Sequence, residues 1–146
     1  MAELHGYHAH IYYGDDSRSP IADEVCKDLA ARFSVELGNN NGIAGPHPIA
    51  QRQVIFRTSA FAEVVPWLMF NRQGLDILVH PLTDDEFDDH TANALWLGNP
   101  VPLKLEILPH GPYPPRLLPS RGFRYSRRLR RAGGILGSVL SRLGAH

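Results

Sequence analysis

The segment that most constrains the fold is Tyr7-His8-Ala9-His10-Ile11-Tyr12-Tyr13. Its aromatic and β-branched residues, with neither Pro nor Gly, predict a β-strand. Successive side chains of a strand point to opposite faces, so His8 and His10 share one face, about 6–7 Å apart. Two histidines on one strand face are either part of a metal site or part of a polar sheet surface, and this pair alone does not distinguish the two.

The composition indicates a soluble protein with one folded domain. The chain has 146 residues, of which 43% are hydrophobic and 21% charged, enough for a buried core. Its single cysteine, Cys26, rules out a disulfide framework and a cysteine-based zinc site, and its helix-type neighbours favour a small buried residue over a nucleophile. Because the sequence shows neither a signal peptide nor an apolar run of the ~20 residues that a membrane span needs, we expect a cytoplasmic protein.

Charge divides the chain into two parts. Residues 1–115 carry seven Lys or Arg and all fifteen Asp and Glu residues, a net charge of −8, whereas residues 116–146 carry eight Arg and no acid. We interpret residues 1–115 as the folded domain and residues 116–146 as a Pro- and Arg-rich basic tail, which we expect to be mobile. Such a tail can contact an anionic surface weakly; we expect no nucleic-acid partner and no membrane span.

The spacing of apolar and turn residues predicts the remaining elements. Ser19 and Pro20 suit the N-cap and first position of one helix, and Ser59 suits the N-cap of a second. Pro66 falls inside the second helix and predicts a kink or an early break. The expected elements are a helix from Ser19 to near Leu37, a short strand within residues 35–43, a strand over 51–56, a helix ending near residue 71, a strand over 75–80, a short helix over 84–90 and a last strand over 101–108.

This order of elements is typical of an α+β ferredoxin-like sandwich, an antiparallel sheet with helices on one face. In that topology the first strand and the last core strand are antiparallel neighbours, so the start of one lies beside the end of the other. His80 ends its strand and is therefore expected to join His8 and His10 at one sheet edge. The second face of the sheet would remain uncovered, so we expect a homodimer that buries it.

Several separated blocks of sequence point to one protein family. They are Tyr7–Tyr13, Gly45-Pro46-His47-Pro48, Val65-Pro66-Trp67-Leu68-Met69-Phe70-Asn71-Arg72, Val79-His80-Pro81-Leu82-Thr83, and Asp89-His90-Thr91 followed by Ala94-Leu95-Trp96-Leu97-Gly98. In these blocks and in their order, residues 5–108 resemble the DOPA 4,5-dioxygenase family of small aromatic-ring-opening dioxygenases. Two positions depart from the pattern: Arg52 stands in a segment that is usually more apolar, and Asp85 stands where a Gly is expected.

The resemblance implies a non-haem Fe(II) extradiol dioxygenase that opens the ring of a catechol, DOPA or a related catecholic acid, with O₂. The candidate metal ligands are His8, His10 and His80, and zinc can occupy such a site as purified. His47 and His90 are candidates for acid–base catalysis or substrate binding. One of these two can instead replace His8 as a ligand, because the loop that carries His47 is held by two prolines and can fold over the sheet.

The carboxylate that completes many non-haem iron sites is not fixed by the sequence. Asp89 and Glu106 are the candidates, and an all-histidine site is the alternative. Aromatic residues can flank a ring substrate, and Arg72 can bind a substrate carboxylate. The aromatic candidates are Tyr12, Trp67 and Trp96, whereas His5, His110 and His146 are expected at the surface.

Two other functions compete with the dioxygenase. The histidines can hold zinc or a small ligand in a dimeric binding module without oxygenase activity. Alternatively, the chain is an interaction protein whose function lies in the basic tail.

Overall fold

A computed structural model describes residues 3–111 of the chain. The expected basic tail, residues 116–146, lies outside the described residues. Three single 3₁₀ turns, Asp16–Arg18, Thr58–Ala60 and Leu105–Ile107, accompany the longer elements. In chain order these are β1 (Tyr7–Tyr12), α1 (Ser19–Arg32), β2 (Val35–Leu37), β3 (Gln51–Phe56), α2 (Phe61–Asn71), β4 (Asp76–Pro81), α3 (Glu86–His90) and β5 (Leu95–Leu97).

The sheet has the predicted ferredoxin-like topology. Its strand order is β2-β3-β1-β4-β5, and every neighbouring pair is antiparallel. The first four strands give the split β-α-β order of that fold, and β5 extends the sheet beyond β4. The register places His8 directly opposite His80. The expectation that the start of the first strand lies beside the end of the last core strand is therefore confirmed.

Both long helices pack on one face of the sheet. Alternation along β1 turns Ala9 and Ile11 towards this face, while His8 and His10 point the other way. The helices are amphipathic, and their buried stripes meet the inward strand residues in one core. Its fully buried members include Ala9, Ile11, Val25, Leu29, Val54, Val64, Leu68 and Ile77. Cys26 also lies in this core, where burial raises the pKa of its thiol to about 11, in agreement with the expected small buried residue.

The two departures from the family pattern have local structural roles. The Arg52 guanidinium donates hydrogen bonds to Asp23 of α1 at 2.8 Å, to the Ser19 hydroxyl at 2.9 Å and to the Tyr13 hydroxyl at 2.9 Å. Arg52 therefore ties β3 to the start of α1. Asp85 is the N-cap of α3, where its carboxylate accepts a hydrogen bond from the Asp88 backbone N–H at 2.9 Å.

Four predicted helix features differ in the structure. The first helix ends at Arg32, because the chain from Val35 continues as the edge strand β2. Ser19 is the first helical residue, and its hydroxyl accepts a hydrogen bond from Arg52 instead of capping the helix. Ser59 makes no side-chain cap bond, since it lies within the 3₁₀ turn before α2. The helix α2 also continues past Pro66 to Asn71, so the early break does not occur.

The predicted last strand over residues 101–108 was wrong. Strand β5 lies earlier, at Leu95–Leu97, and residues 101–104 make no strand ladder before the 3₁₀ turn Leu105–Ile107. Pro100 and Pro102 offer a physical reason, because proline has no N–H to donate to a strand partner. The alternating pattern of Val101, Leu103 and Leu105 therefore belongs to a covering segment and not to the sheet.

That segment helps to cover the second face of the sheet. The Lys104 backbone N–H donates to Pro46 in the loop before β3, and the Phe87 N–H of α3 donates to Pro109. These contacts join the loop, α3 and the covering segment into one layer over the polar face, where His8, His10 and His80 are buried within a single chain. An uncovered sheet face therefore no longer supports the expected homodimer, which stays a prediction.

Within residues 3–111, none of the helices combines the length and apolar character needed to cross a lipid bilayer.

Candidate metal centre

Five histidines converge between the polar face of the sheet and the layer that covers it. His8 and His10 come from β1, and His80 comes from the adjacent strand β4. His47 comes from the loop before β3, and His90 ends α3. Two sets of three offer nitrogens within 4.8 Å of one another: His8 with His10 and His80, and His10 with His47 and His90. His10 belongs to both sets and is the centre of the cluster.

The hydrogen bonds of His10 and His80 fix where their ring protons sit. The Nδ1 of His80 lies 2.8 Å from the Pro81 carbonyl oxygen, which can only accept. The Nδ1 of His10 lies 2.9 Å from Oε1 of Gln51. The amide of Gln51 cannot be reversed, because its Nε2 donates to the carbonyls of Asn40 and Gly42 at 2.8 and 3.2 Å. Both histidines therefore carry hydrogen on Nδ1, and each Nε2 has a lone pair.

These two lone pairs face each other. The Nε2 atoms of His10 and His80 are 3.0 Å apart, a distance at which two acceptors repel unless a proton or a cation lies between them. Burial, followed by the nearby histidines, lowers the pKa of both residues well below the usual value. A shared proton is thus disfavoured, and a metal cation is the species that this arrangement suits.

The donor set fits a transition metal. Two nitrogens that bind one ion at right angles, each at about 2.1 Å, lie about 3.0 Å apart. His10 and His80 also have the outer hydrogen bond to a carbonyl oxygen that is typical of metal-bound histidines. Neutral imidazoles are the form that binds metals, and they suit iron, zinc, copper and nickel.

The wall opposite the strands carries His47 and His90. The Tyr12 hydroxyl lies 2.6 Å from Nδ1 of His47, and burial raises the pKa of this phenol. Since His47 is the one hydrogen-bond partner of the hydroxyl among residues 3–111, we take the hydroxyl as the donor, which leaves the His47 proton on Nε2. In His90, by contrast, Nδ1 donates to the Glu86 carbonyl at 2.7 Å, so Nε2 holds the lone pair.

The whole cluster is electrically neutral near pH 7. Burial is the main cause that lowers the pKa of each of the five histidines, and neighbouring histidines add to it for all but His90. For His47 the pKa falls to about 4. A neutral cluster of imidazoles in low-dielectric surroundings is ready to accept a cation without first releasing protons.

Neither carboxylate candidate joins the histidines as a ligand. Asp89 is buried beside the cluster, but both of its oxygens are engaged by Thr83, one with the backbone N–H at 2.9 Å and the other with the hydroxyl at 2.6 Å. Burial raises its pKa to about 6. Glu106 is exposed on the covering segment and is not among the residues that line the cavity. The described residues thus favour the all-histidine alternative.

A cavity of about 110 Å³ opens beside the histidines. It lies between the ends of β1 and β4, the loop before β3 and α3. A closed cavity of roughly 150 Å³ holds one benzene ring, so this open one suits a single ring that projects partly into solvent. Its polar lining consists of His5, His8, His10, Asn40, His47, Gln53, His80, Thr83, Glu86, Asp89 and His90.

The four residues predicted to contact substrate lie outside the cavity lining. Tyr12 acts through His47, and its ring stacks on Trp96 with centroids 6.0 Å apart. Trp67 packs against the helix-side core. Arg72 donates to the Leu75 carbonyl at 2.9 Å, at the opposite end of β4 from His80. The structure therefore brings together the five histidines but leaves Trp96 and Arg72 away from them.

Several polar residues of the site were not predicted from the sequence, among them Gln51, Gln53 and His5. Gln51 and Gln53 are buried on the histidine face of β3, and His5 lines the cavity. The alternation of β3, with Gln51 and Gln53 opposite Val54, was the available signal for the two glutamines. His5 gave no such signal: it lies before β1, is exposed as expected, and also lines the cavity.

The Dopa 4,5-dioxygenase family matches residues 7–107, which include every helix and strand of the described fold, from β1 to the 3₁₀ turn Leu105–Ile107. The chain belongs to this family. The resemblance drawn from the sequence blocks is therefore confirmed, and the buried histidines of this chain could hold a metal ion.

Individual relatives agree with this membership. A DOPA 4,5-dioxygenase of Amanita muscaria is 33% identical over 117 residues, 74% of this chain and 51% of that protein. An uncharacterised 21.2 kDa protein of Botryotinia fuckeliana is 42% identical over 72 residues, 44% of this chain and 39% of that protein. The chain thus spans about half or less of the length of the curated relatives that it matches.

A solved structure shares the fold. The crystal structure of a candidate dioxygenase from Nostoc punctiforme superposes with a TM-score of 0.66 at 47% sequence identity, covering 71% of this chain and 90% of that one. The match supports the ferredoxin-like arrangement described above.

Proposed function

We propose that this protein is a non-haem Fe(II) extradiol dioxygenase that opens a catechol ring with O₂, and that His8, His10 and His80 hold the iron. The observation that carries the proposal is that the Nε2 atoms of His10 and His80, each with a lone pair, face each other 3.0 Å apart in a buried site. Family membership supports the oxygen chemistry. Zinc also suits the histidines, but it has no redox chemistry, so a dioxygenase requires a redox-active metal in this place, and we propose iron.

Fe(II), when bound, supplies a Lewis acid for the catechol oxygens and a redox centre for O₂. The chain supplies the position of the substrate. The cavity admits one aromatic ring, and its lining offers hydrogen-bonding groups from Asn40, Gln53 and Thr83 near the histidines. A catechol, with two adjacent hydroxyls on a flat ring, is the substrate class that this combination favours; DOPA and related catecholic acids are its candidate members.

His47 and His90 divide the proton chemistry between them. The lone pair of His90 Nε2 is able to accept a catechol proton, since its Nδ1 is committed to the Glu86 carbonyl. His47, with Tyr12 on its Nδ1, presents an N–H and so donates a hydrogen bond to an oxygen of the substrate. We therefore propose His90 as the general base and His47 as the hydrogen-bond donor.

The third ligand has a competitor. The Gln53 amide lies 3.4 Å from Nδ1 of His8, a longer contact than the 2.9 and 2.8 Å bonds of His10 and His80. His90 also presents an Nε2 lone pair. We expect His8→Ala to lower iron occupancy while His90→Ala leaves iron bound and lowers turnover. Iron analysis of both variants after anaerobic loading checks this; the reverse pattern would move the ligand role to His90.

Oxygen uptake tests the function itself. Protein loaded anaerobically with Fe(II) is mixed with L-DOPA, caffeate or protocatechuate, then exposed to O₂ in an oxygen electrode cell. We expect uptake with at least one catechol, together with a yellow ring-cleavage product. His10→Ala and His80→Ala should each abolish uptake. His110→Ala is the matched control, because His110 is exposed and stacks on Phe87 outside the cavity.

A second outcome favours the binding module. If the loaded protein holds iron or zinc in stoichiometric amount but consumes no O₂ with any catechol, the histidines serve metal or ligand binding alone. The family membership would then describe the fold and the metal site without the reaction.

A further inference from the structure

We propose that Gln51 is a positioning residue that sets the tautomer of His10, and thereby aims the His10 lone pair at the metal position. The inference deepens the proposed function and rests on His10 being a ligand. Gln51 touches neither the cavity nor the proposed iron position, so it acts only through His10.

The Gln51 side chain is held on every side. It is 0% exposed, and its amide makes three hydrogen bonds: two donated to the carbonyls of Asn40 and Gly42, and one accepted from His10 Nδ1. Because neither carbonyl can donate, reversal of the amide would place NH₂ against His10 and the oxygen against two acceptors. Reversal would break all three bonds, so Gln51 presents only an acceptor to His10.

The backbone of Gln51 is fixed as well. Gly42 and Gln51 form an isolated antiparallel bridge, with backbone hydrogen bonds of 2.7 and 3.3 Å. The same loop continues to His47, so the residue that fixes His10 also anchors the start of the loop that carries His47. A single buried amide thus couples a proposed ligand on the sheet to the opposite wall of the site.

Gln53 provides a natural contrast on the same strand face. It lies two residues further along β3 and also contacts a histidine, His8. Its amide contacts are both long, 3.4 Å from His8 Nδ1 and 3.4 Å from the Asn40 N–H. Both distances are longer than the 2.8 to 3.2 Å of the Gln51 amide, and neither contact involves His10.

Loss of the Gln51 amide should therefore change the tautomer of His10 even in the metal-free protein. Without the acceptor, Nδ1 of His10 loses its partner, and the proton can move to Nε2, where it can donate to the Nε2 of His80 at 3.0 Å. That proton occupies the place of the metal. Loss of such an outer hydrogen bond typically lowers metal affinity 10–100-fold.

The test compares Gln51→Met, Gln51→Glu and Gln53→Met. Methionine keeps the length of the side chain and removes every hydrogen bond, whereas glutamate keeps an acceptor for His10. The first readout is the ring ¹⁵N chemical shifts of His10 in metal-free protein, which report the tautomer. The second is the dissociation constant for Zn²⁺, measured with a competing chromophoric chelator.

We expect Gln51→Met to shift His10 to the Nε2–H tautomer and to weaken Zn²⁺ binding 10–100-fold. Gln51→Glu should keep the Nδ1–H tautomer, and Gln53→Met should leave the tautomer of His10 near that of the wild type, because Gln53 contacts His8 and not His10. If Gln51→Met fails to fold, the glutamate variant still decides, because a shifted tautomer there overturns the inference.

Failure of this inference is separable from failure of the proposed function. An unchanged His10 tautomer in Gln51→Met, in a wild type that binds metal, overturns only the role of Gln51. A wild type with the Nδ1–H tautomer of His10 and no metal affinity overturns the metal site while supporting the action of Gln51 on the ring.

Discussion

At the scale of single residues, the site depends on acceptors that control which histidine nitrogen carries hydrogen. Strand alternation was enough to predict that His8 and His10 share one face of the sheet, and the topology was enough to predict that His80 joins them. Neither predicts the tautomers. These depend on the Pro81 carbonyl and on Gln51, whose contact with His10 joins residues 41 positions apart.

Tyr12→Phe tests how His47 is held. We expect the free energy of unfolding to fall by about 1–3 kcal/mol, because the variant leaves Nδ1 of a buried histidine without its partner. Iron occupancy should be retained, since His47 is not among the proposed ligands, and turnover should fall. Urea unfolding and iron analysis measure the two effects.

Tyr7→Phe is the control for that variant, because Tyr7 contacts Phe56 and Phe61 through its ring. Equal destabilisation by both substitutions, or loss of iron in Tyr12→Phe, would count against the assigned role of the Tyr12 hydroxyl.

At the scale of elements, the short helix α3 needs support from outside itself. Five residues are too few for a stable isolated helix. The Asp85 cap, the Asp89–Thr83 hydrogen bonds and the contact of Phe87 with Pro109 attach it to β4 and to the covering segment. The sequence predicted a short helix over residues 84–90, and the structure places it at Glu86–His90, with the Thr83 hydroxyl donating to Asp89.

Asp89→Ala should detach α3 from the end of β4. Hydrogen bonds to a charged acceptor contribute about 1.5–3 kcal/mol each, although the raised pKa of Asp89 reduces the charged fraction below about pH 6. We expect faster amide hydrogen exchange in α3 and lower turnover through the displaced His90. Asp84→Ala is the control, since Asp84 is exposed beside the same helix. Equally fast exchange in both variants would argue against the proposal that the Asp89–Thr83 hydrogen bonds attach α3 to the end of β4.

Element boundaries were the least predictable part of the fold. The sequence gives an alternating pattern over residues 101–108, but whether such a pattern pairs with a strand depends on free N–H groups and an available sheet edge. Pro100 and Pro102 remove the first, and β5 occupies the edge beside β4. The covering segment therefore lies over the histidine face of the sheet, a placement that the local sequence pattern could not predict.

At the scale of the whole molecule, five neutral buried histidines make the metal-free fold sensitive to acid. Their pKa values are lowered by burial, so below pH 6.5 the unfolded chain binds more protons than the folded one, and stability falls as the pH drops. For His47 this window extends from 6.5 to about 4. Each such group removes up to about 1.4 kcal/mol per pH unit.

Asp89 acts in the opposite direction. Its raised pKa means that the folded state holds a proton more tightly, so its contribution is present at low pH and lost as the pH rises towards about 6. One carboxyl group against five histidines leaves the net effect acid-labile. Urea midpoints of metal-free protein should therefore fall between pH 7.5 and pH 5; a flat or rising profile would contradict neutral histidines in the folded state.

The most direct test of the metal centre is the iron content of anaerobically loaded protein after removal of unbound metal. We expect a single iron per chain in the wild type and in His110→Ala, and almost none in His10→Ala, because His10 belongs to both sets of converging nitrogens. Equal iron in all three proteins, or none in the wild type, would contradict the claim that the facing lone pairs of His10 and His80 form a metal site.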